Sequence, residues 1–375
     1  MRLFETSVIG SLPRPSWILQ DLKNHEDGLI SEDEFQAKLD EAIPLAITLQ
    51  ELANIDIITD GEWRRKSYIQ GFSKYVKGFA PNKIEVTVLD GTKRYWPAIV
   101  DKLEYVRPIA VDEVAFVMKL SERRVKATLP SPYMIERWFY DPDFSSGAYN
   151  TRELLIEDAA KVLREELKNL ASVGVDTVQF DDAMLGRFVG EEYNSSGLNP
   201  KVKITMADRE RELELAVHGI NLAVGGVTGV RTALHVCRGH RARRHVAHGG
   251  FGPIFGALKK MNIDLLALEF ASEEISSMEI LKNFPEDKIL GLGAIDVLSE
   301  RIDSTERIVS RVEEAIKYVD KGRISLNPDC GFAPSSENPI TIREAALKLG
   351  RLGEAAQVLR QRYGDSFQQQ NDTRN

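Results

Sequence analysis

A chain of 375 residues can hold two ordinary domains or one large α/β barrel, and 43% hydrophobic content is ample for a buried core. A formal charge of −8 leaves no basic footprint of the kind that displaces counterions from nucleic acid. No apolar run reaches the roughly 18 residues that span a bilayer, and MRLFETSVIGSLPRP turns polar too early for a secretory signal; a cytoplasmic protein with no nucleic-acid or membrane partner is expected.

In chain order, SVIGS from Ser7 is the first of eight short aliphatic runs. SEDEFQAKLDEAIPLAITLQELAN then predicts a helix, with Ser31 as N-cap and Glu34 completing a capping box. IDIITDGE from Ile55 is the second run. From about Lys83 to Leu120, IEVTVLDGTKRYWPAIV with Asp90-Gly91 at its turn predicts a β-hairpin. VKATLPSP from Val125 is the third run. TRELLIEDAAKVLREELKNLASVG after it has a helical period and a closing glycine, Gly174. VDTVQFDD from Val175, TALHVC from Thr232, IDLLALEF from Ile263 and ILGLGAID from Ile289 follow. STERIVSRVEEAIKYVDKG predicts a helix led by Ser304 and closed by Gly322, before the last run, RISLNPDC from Arg323.

None of the runs alternates cleanly, as expected of strands buried on both faces of a parallel sheet. Strands alternating with helices eight times predict an α/β fold over residues 1–361, a single (β/α)8 TIM barrel with a β-hairpin insertion between strands 2 and 3. Residues 362–375 are a polar tail expected to be disordered.

Such a barrel builds its active site at the C-terminal ends of its strands. Those ends carry Ser11, Asp60 with Glu62, Pro130 to Pro132, Asp181 with Asp182, His235 with Cys237, Glu269, Asp296, and Asp329 with Cys330. Polar residues that are out of place in apolar runs thus collect at one rim, which points to an enzyme. His235 and Cys237 are two apart on a strand and so share a face. With Glu269 and Cys330 they make a donor set suited to tetrahedral Zn2+, the soft thiolates selecting that metal. Two cysteines in the whole chain are too few for a disulfide framework.

Each of these residues also has a plainer reading. The cysteines could be inert and buried, Glu269 an ion-pair partner, and Asp182 a helix cap. Glu62 could pair with Arg64 or Arg65 at the surface. RGHRARRHVAHGG, from Arg238 to Gly250, reads first as a solvated loop; the functional alternative is an arginine clamp for an anion.

Taken together, IGS at Ile9–Ser11, DGEW at Asp60–Trp63, VQFDD at Val178–Asp182, HVC at His235–Cys237, LEFAS at Leu268–Ser272 and NPDCG at Asn327–Gly331 resemble the catalytic C-terminal barrel of cobalamin-independent methionine synthase. The resemblance covers most of the chain. It implies a zinc-dependent methyltransferase acting on a small thiol, homocysteine, with a separate alkyl or methyl donor. His235, Cys237, Glu269 and Cys330 would hold the zinc, Glu269 as the exchangeable ligand. Ser11, Glu62 and Asp181 would receive the amino acid's carboxylate and ammonium, with Arg14 as a further substrate-binding candidate. Asp296 and Glu269 are the catalytic candidates.

The departures bear on the donor. The resemblance covers only the catalytic barrel of the long enzymes, and TLPSPYM stands where the family has a threonine-glycine-proline motif. Leu298 stands where the family has a histidine proposed to protonate a folate leaving group. The donor therefore stays open among a folate, a methylcorrinoid and another methylated molecule, with room for a methyl-carrier or helper protein. One alternative reading is an epoxyalkane:coenzyme M transferase, in which Arg14, Arg64 or arginines near Arg241 would bind the sulfonate. Another is a uroporphyrinogen decarboxylase-like barrel that binds a tetrapyrrole or corrinoid without zinc.

Overall fold

Seven of the eight aliphatic runs form strands of one parallel sheet in the computed structural model, which describes residues 2–65, 67–88, 91–241, 243–272, 277–333 and 339–372. In chain order the strands are β1 (Ile57–Ile58), β2 (Val76–Thr87), β3 (Lys93–Tyr105), β4 (Arg124–Pro130), β5 (Thr177–Asp181) and β6 (Arg231–Val236). They continue as β7 (His240–Arg241), β8 (Arg244–His245), β9 (Leu265–Glu269), β10 (Ile289–Ile295) and β11 (Ile324–Pro328). The seven-stranded sheet runs β1-β4-β5-β6-β9-β10-β11, while β2 with β3 and β7 with β8 form separate antiparallel pairs. Every residue of β5, β9 and β11 is buried, which is why these runs show no polar alternation.

The chain divides into two compact units, one of Met1–Lys66, Phe116–Lys126 and Leu265–Asn375, the other of Ser67–Ala115 and Ala127–Asp264. In the first unit, β9, β10 and β11 pair in parallel register, and β1 pairs with the start of β4. The SVIGS run does not form a regular strand, against expectation. Single bridges join Thr6 to Leu326 and Ser7 to Ile57. Beyond Ser7 the backbone leaves the ladder: the Leu12 N–H donates to Gly61 O at 3.0 Å, and the Thr59 hydroxyl donates to Gly10 O at 2.8 Å. Asp56 fastens this corner by accepting from the Thr6 N–H at 2.8 Å, from Arg2 at 2.7 Å and from Arg360.

Helix Glu32–Leu52 starts where the capping signal predicts, Ser31 accepting from the Glu34 N–H at 3.1 Å. Ser304 likewise caps helix Thr305–Ile316. That helix ends before Gly322, which lies instead in the short 3-10 turn Lys321–Arg323. The last helix, Ile342–Asp372, runs on past residue 362, where composition predicts a tail. Contacts of Arg360 and Tyr363 hold it on either side of that position. Arg360 donates to Leu3 O and Phe4 O at 2.8 Å each, and the Tyr363 hydroxyl bonds Glu313 at 3.0 Å.

In the second unit β5 and β6 pair in parallel, with Asp181 opposite His235. Thr151 caps helix Arg152–Ser172, and Gly174 beyond its end takes φ +84°, as its position after the helix predicts. The hairpin lies between the second and third aliphatic runs as expected, but begins at Val76 rather than near Lys83. A register shift between Ala80 and Ile84, with Asn82 at φ +53°, interrupts the alternation and conceals the strand's start. Asp90 of the predicted turn lies outside the described residues; the Gly91 N–H donates to Val88 O at 2.8 Å. Among the described residues, no helix is long and apolar enough to cross a membrane.

Candidate metal centre

β6 carries His235 on its last turn of pleat and Cys237 one residue past its end, on the same face. Both are buried, and their donor atoms lie within 4.8 Å of one another. Zinc–nitrogen and zinc–sulfur bonds of about 2.0–2.3 Å allow two ligands of one tetrahedral ion to stand that far apart. The pair therefore fits a metal in both donor type and spacing.

The backbone beside this pair is closely built. The Asp182 N–H donates to His235 O at 2.9 Å, and the Ser131 N–H to Asp181 O at 3.0 Å. Asp182 caps the 3-10 turn Leu185–Phe188, accepting from the Met184 and Leu185 N–H groups at 3.0 Å each, and it also accepts the Ser131 hydroxyl. The helix-cap reading of Asp182 thus describes what it does. Burial pushes its carboxyl up to about 6 against those hydrogen bonds, and the neighbouring Cys237 adds to the rise. Gly186 in the same turn passes against the Cys237 carbonyl; a Cβ there would lie 1.9 Å from that oxygen. Asp181 itself is buried, with its Oδ1 accepting from Gln179 at 2.7 Å.

The arginine-rich loop after β6 is partly committed to its own structure. Arg238 is buried, donates from Nε to Gly249 O at 2.7 Å, and lies over the Phe251 ring at 4.5 Å. β7 and β8 follow, with Arg243 at φ +61° between them.

In the first unit Glu269 ends β9 and Cys330 stands two residues beyond β11; both are buried. Asp329 links the two strand ends, its Oδ1 accepting from the Phe270 and Ala271 N–H groups at 2.9 and 3.0 Å. Burial drives the Asp329 carboxyl well above its ordinary range, and the Glu269 charge raises it further. Ser11 closes over the next residues: its carbonyl accepts from the Phe332 N–H at 3.0 Å and its hydroxyl from the Ala333 N–H at 3.2 Å.

Glu62 is buried rather than paired at the surface, and Arg64 turns to Gln36 and Asp40 instead. Glu62 holds φ +57° directly after Gly61 at +73°. A left-handed glutamate costs about 1–3 kcal/mol, and such strain collects at functional sites. Asp60 holds that turn through Oδ1, which accepts the Glu62 N–H at 2.8 Å, while its buried Oδ2 makes no hydrogen bond among the described residues. Arg14, also buried, donates to the carbonyls of Glu62 at 2.6 Å, Arg65 at 2.5 Å and Ala333 at 3.4 Å. It thus braces the loops that carry Glu62 and Ser11. Asp296, just past β10, is half-buried and uses Oδ1 to hold the Leu298 and Ser299 N–H groups at 2.8 and 3.1 Å.

Sequence reasoning passed over the segment ERWFYDP after Ser131-Pro132. There Glu136 and Arg137 enter a buried network with Arg152, Tyr193 and Glu212. Only the unusual charge density within an otherwise buried helix marked it.

The family model described as the cobalamin-independent synthase catalytic domain matches residues 4–357. Among curated proteins, the methionine synthase of Pyrococcus horikoshii is 30% identical over 338 residues, covering 88% of this chain and 86% of the relative. That of Saccharolobus solfataricus is 27% identical, covering 96% of each. Among solved structures, a B12-independent methionine synthase from Shewanella sp. W3-18-1, in complex with selenomethionine, matches with TM-score 0.77 at 24% identity, covering 96% of this chain and 98% of that one. At that identity the likeness speaks for the fold. The family match spans the β6 end, both first-unit strand ends and the Glu62 turn, and the chain belongs to the cobalamin-independent methionine synthase family of enzymes.

Proposed function

We propose that the protein transfers a methyl group to the thiol sulfur of homocysteine, giving methionine, at a zinc site formed by His235, Cys237, Glu269 and Cys330. The observation that carries this reading is the buried His235–Cys237 pair at the end of β6, in a chain whose relatives are named methionine synthases. Zinc held there would lower the pKa of the substrate thiol, so that the sulfur is a thiolate near neutral pH.

The chain's own residues supply the rest. Glu62 and Asp181, with the spare oxygen of Asp60, cradle the substrate ammonium. The amides around Ser11 take its carboxylate. Arg14 keeps the Glu62 and Ser11 loops in register. Asp296 shapes the turn past β10 and can take a polar part in donor binding. In the reaction the sulfur–carbon bond forms as the donor–methyl bond breaks, its electron pair staying on the donor and the thiol proton passing to solvent. The bridges at Thr6 and Ser7 support a further inference, that this segment completes an eight-membered (β/α)8 ring. A cytoplasmic setting and a methyl-carrier protein as donor belong to the same reading; a hydrophobic Leu298 beside Asp296 weighs against a folate leaving group that must be protonated there.

The test supplies the zinc-loaded protein with homocysteine or coenzyme M, and with methyltetrahydrofolate, methylcobalamin or a short epoxyalkane. Methionine formed from homocysteine, and no methylated coenzyme M, is the expected product by mass spectrometry. A thioether from coenzyme M alone, formed with an epoxide, would contradict the reading.

A further inference from the structure

Two arginines in the second unit follow the ends of adjoining strands. Arg137 lies on helix Pro132–Phe139, just beyond β4, and Arg187 lies in the turn beyond β5. Both are almost fully buried, Arg137 at 2% exposure. Arg187 is committed to the carbonyls of Asn194 and Ser196. Arg137 is not. Its Nη2 reaches the Tyr193 hydroxyl at a long 3.4 Å, and its Nε and Nη1 find no acceptor among the described residues. The neighbouring Trp138 Nε1 is likewise buried without one.

Against burial, Tyr193 and then Glu136 hold the Arg137 guanidinium above its ordinary value through space, but the nearby carboxylates do not take up its Nε and Nη1 donors. Glu136 and Glu212 are both held by Arg152, in four contacts of 2.7–2.8 Å, and Glu212 also takes the Tyr133 hydroxyl at 2.7 Å. Arg152 therefore takes up both carboxylates, and Arg137 beside them keeps two nitrogens with no acceptor among the described residues. Burial holds the Arg187 guanidinium below its ordinary value; Tyr193 opposes that shift and the Arg137 charge adds to it. A buried cation with unused donors is expensive, and an apolar residue of similar size would stabilise the fold more. Arginine at such a place is suited to gripping an oxyanion, through charge and several N–H donors at once.

We propose that Arg137 and the Tyr193 hydroxyl form an oxyanion-binding subsite, which takes a carboxylate or phosphate carried by the methyl donor. Homocysteine brings one carboxylate, already placed at the amides near Ser11, so the unused Arg137 donors belong to the second substrate. That assignment to the donor rests on the methyl-transfer reading; the anion site itself does not.

The experiment uses the full-length zinc protein at constant ionic strength and follows thermal unfolding with inorganic phosphate, with triglutamate and with methylcobalamin. Wild type is expected to gain stability with at least one of the three, and the responsive probe separates a free phosphate, a carboxylate tail and a corrinoid phosphodiester. Arg137→Met is expected to melt no lower than wild type without anion and to lose the anion response. Its KM for the donor should rise about 10- to 100-fold while that for homocysteine stays within about twofold. Arg137→Lys should fall between, and Tyr193→Phe should weaken the response without altering the basal melting point. An anion response kept in Arg137→Met would overturn the proposal. So would no response in wild type, or a lower basal melting point in Arg137→Met with Tyr193→Phe like wild type. An anion response in a protein that forms no methionine would leave the subsite standing and defeat the methyl-transfer reading alone.

Discussion

His235 and Cys237 meet because residues two apart on one strand share a face; Glu136, Arg152 and Glu212 meet only because three helices pack together. Both groups lie in the second unit; His235, Cys237, Glu136 and Glu212 are buried and Arg152 is half-buried. The first keeps an imidazole and a thiol close to one another, their donor atoms within 4.8 Å. The second satisfies its members internally, Arg152 gripping both carboxylates. Metal-ligating donors at metal-binding spacing point to a ligand, and carboxylates gripped by one guanidinium point to a brace between helices.

If that contrast is right, removing the brace should unfold the protein more than any change at the strand end. Arg152→Met takes the guanidinium from two buried carboxylates and leaves Glu212 only the Tyr133 hydroxyl, so a loss of about 3–5 kcal/mol is expected in urea unfolding. A loss below about 1 kcal/mol would show that the carboxylates find other partners, and the contrast would fail. Cys237→Ser should behave in the opposite way. Structural zinc sites bind with roughly 10–16 kcal/mol over four ligands, so one ligand is worth about 3–4 kcal/mol of metal affinity, or 10²–10³-fold. Competition with a chelator should read that loss, while the metal-free proteins unfold together.

Asp56 in the first unit gives the comparison a pH axis. Burial raises its carboxyl pKa, but the Thr6 amide, Arg360 and Arg2 bring it below the ordinary value of 3.8. Because the folded pKa is depressed, its contribution is fully present above that value and is lost as pH falls through the folded pKa. Asp56→Asn should therefore cost about 1–3 kcal/mol at pH 7 and progressively less below pH 4. A penalty that does not shrink in acid would show a packing role rather than a charge. The smallest effect concerns Ser131, which caps helix Pro132–Phe139 and binds Asp182. Ser131→Ala should cost about 1 kcal/mol by thermal unfolding and leave zinc content unchanged. Zinc lost in that variant would tie the brace side to the metal side.

How much of this the sequence disclosed follows from the same contrast. Strands buried on both faces announce themselves as unbroken aliphatic runs, so β4, β5, β6, β9, β10 and β11 were readable. So were caps that act over three residues, at Ser31 and Ser304, and the closing Gly174. His235-Val236-Cys237 was readable because its geometry is local. SVIGS misled because its aliphatic residues are buried, yet beyond the single bridges at Thr6 and Ser7 its backbone turns from the ladder to the loop after β1. The hairpin's start was hidden by a bulge. Arg14 stood out in the sequence as a substrate-binding candidate, but its spacing could not disclose that its Nη groups reach carbonyls up to 319 positions away while its buried Nε finds no acceptor among the described residues. The Glu136–Arg152–Glu212 brace joins residues 16 and 60 apart, and no spacing rule reaches that far.

The central claim is that His235, Cys237, Glu269 and Cys330 hold one metal ion that homocysteine approaches. The most direct measurement replaces that metal with cobalt(II) and records its visible absorption while homocysteine is added. About one cobalt per chain is expected, with thiolate-to-metal charge-transfer bands that intensify on adding homocysteine but not methionine. In Cys237→Ser and Cys330→Ser the bands should weaken or vanish. A wild-type protein that binds no cobalt, or whose spectrum is indifferent to homocysteine, would contradict the account.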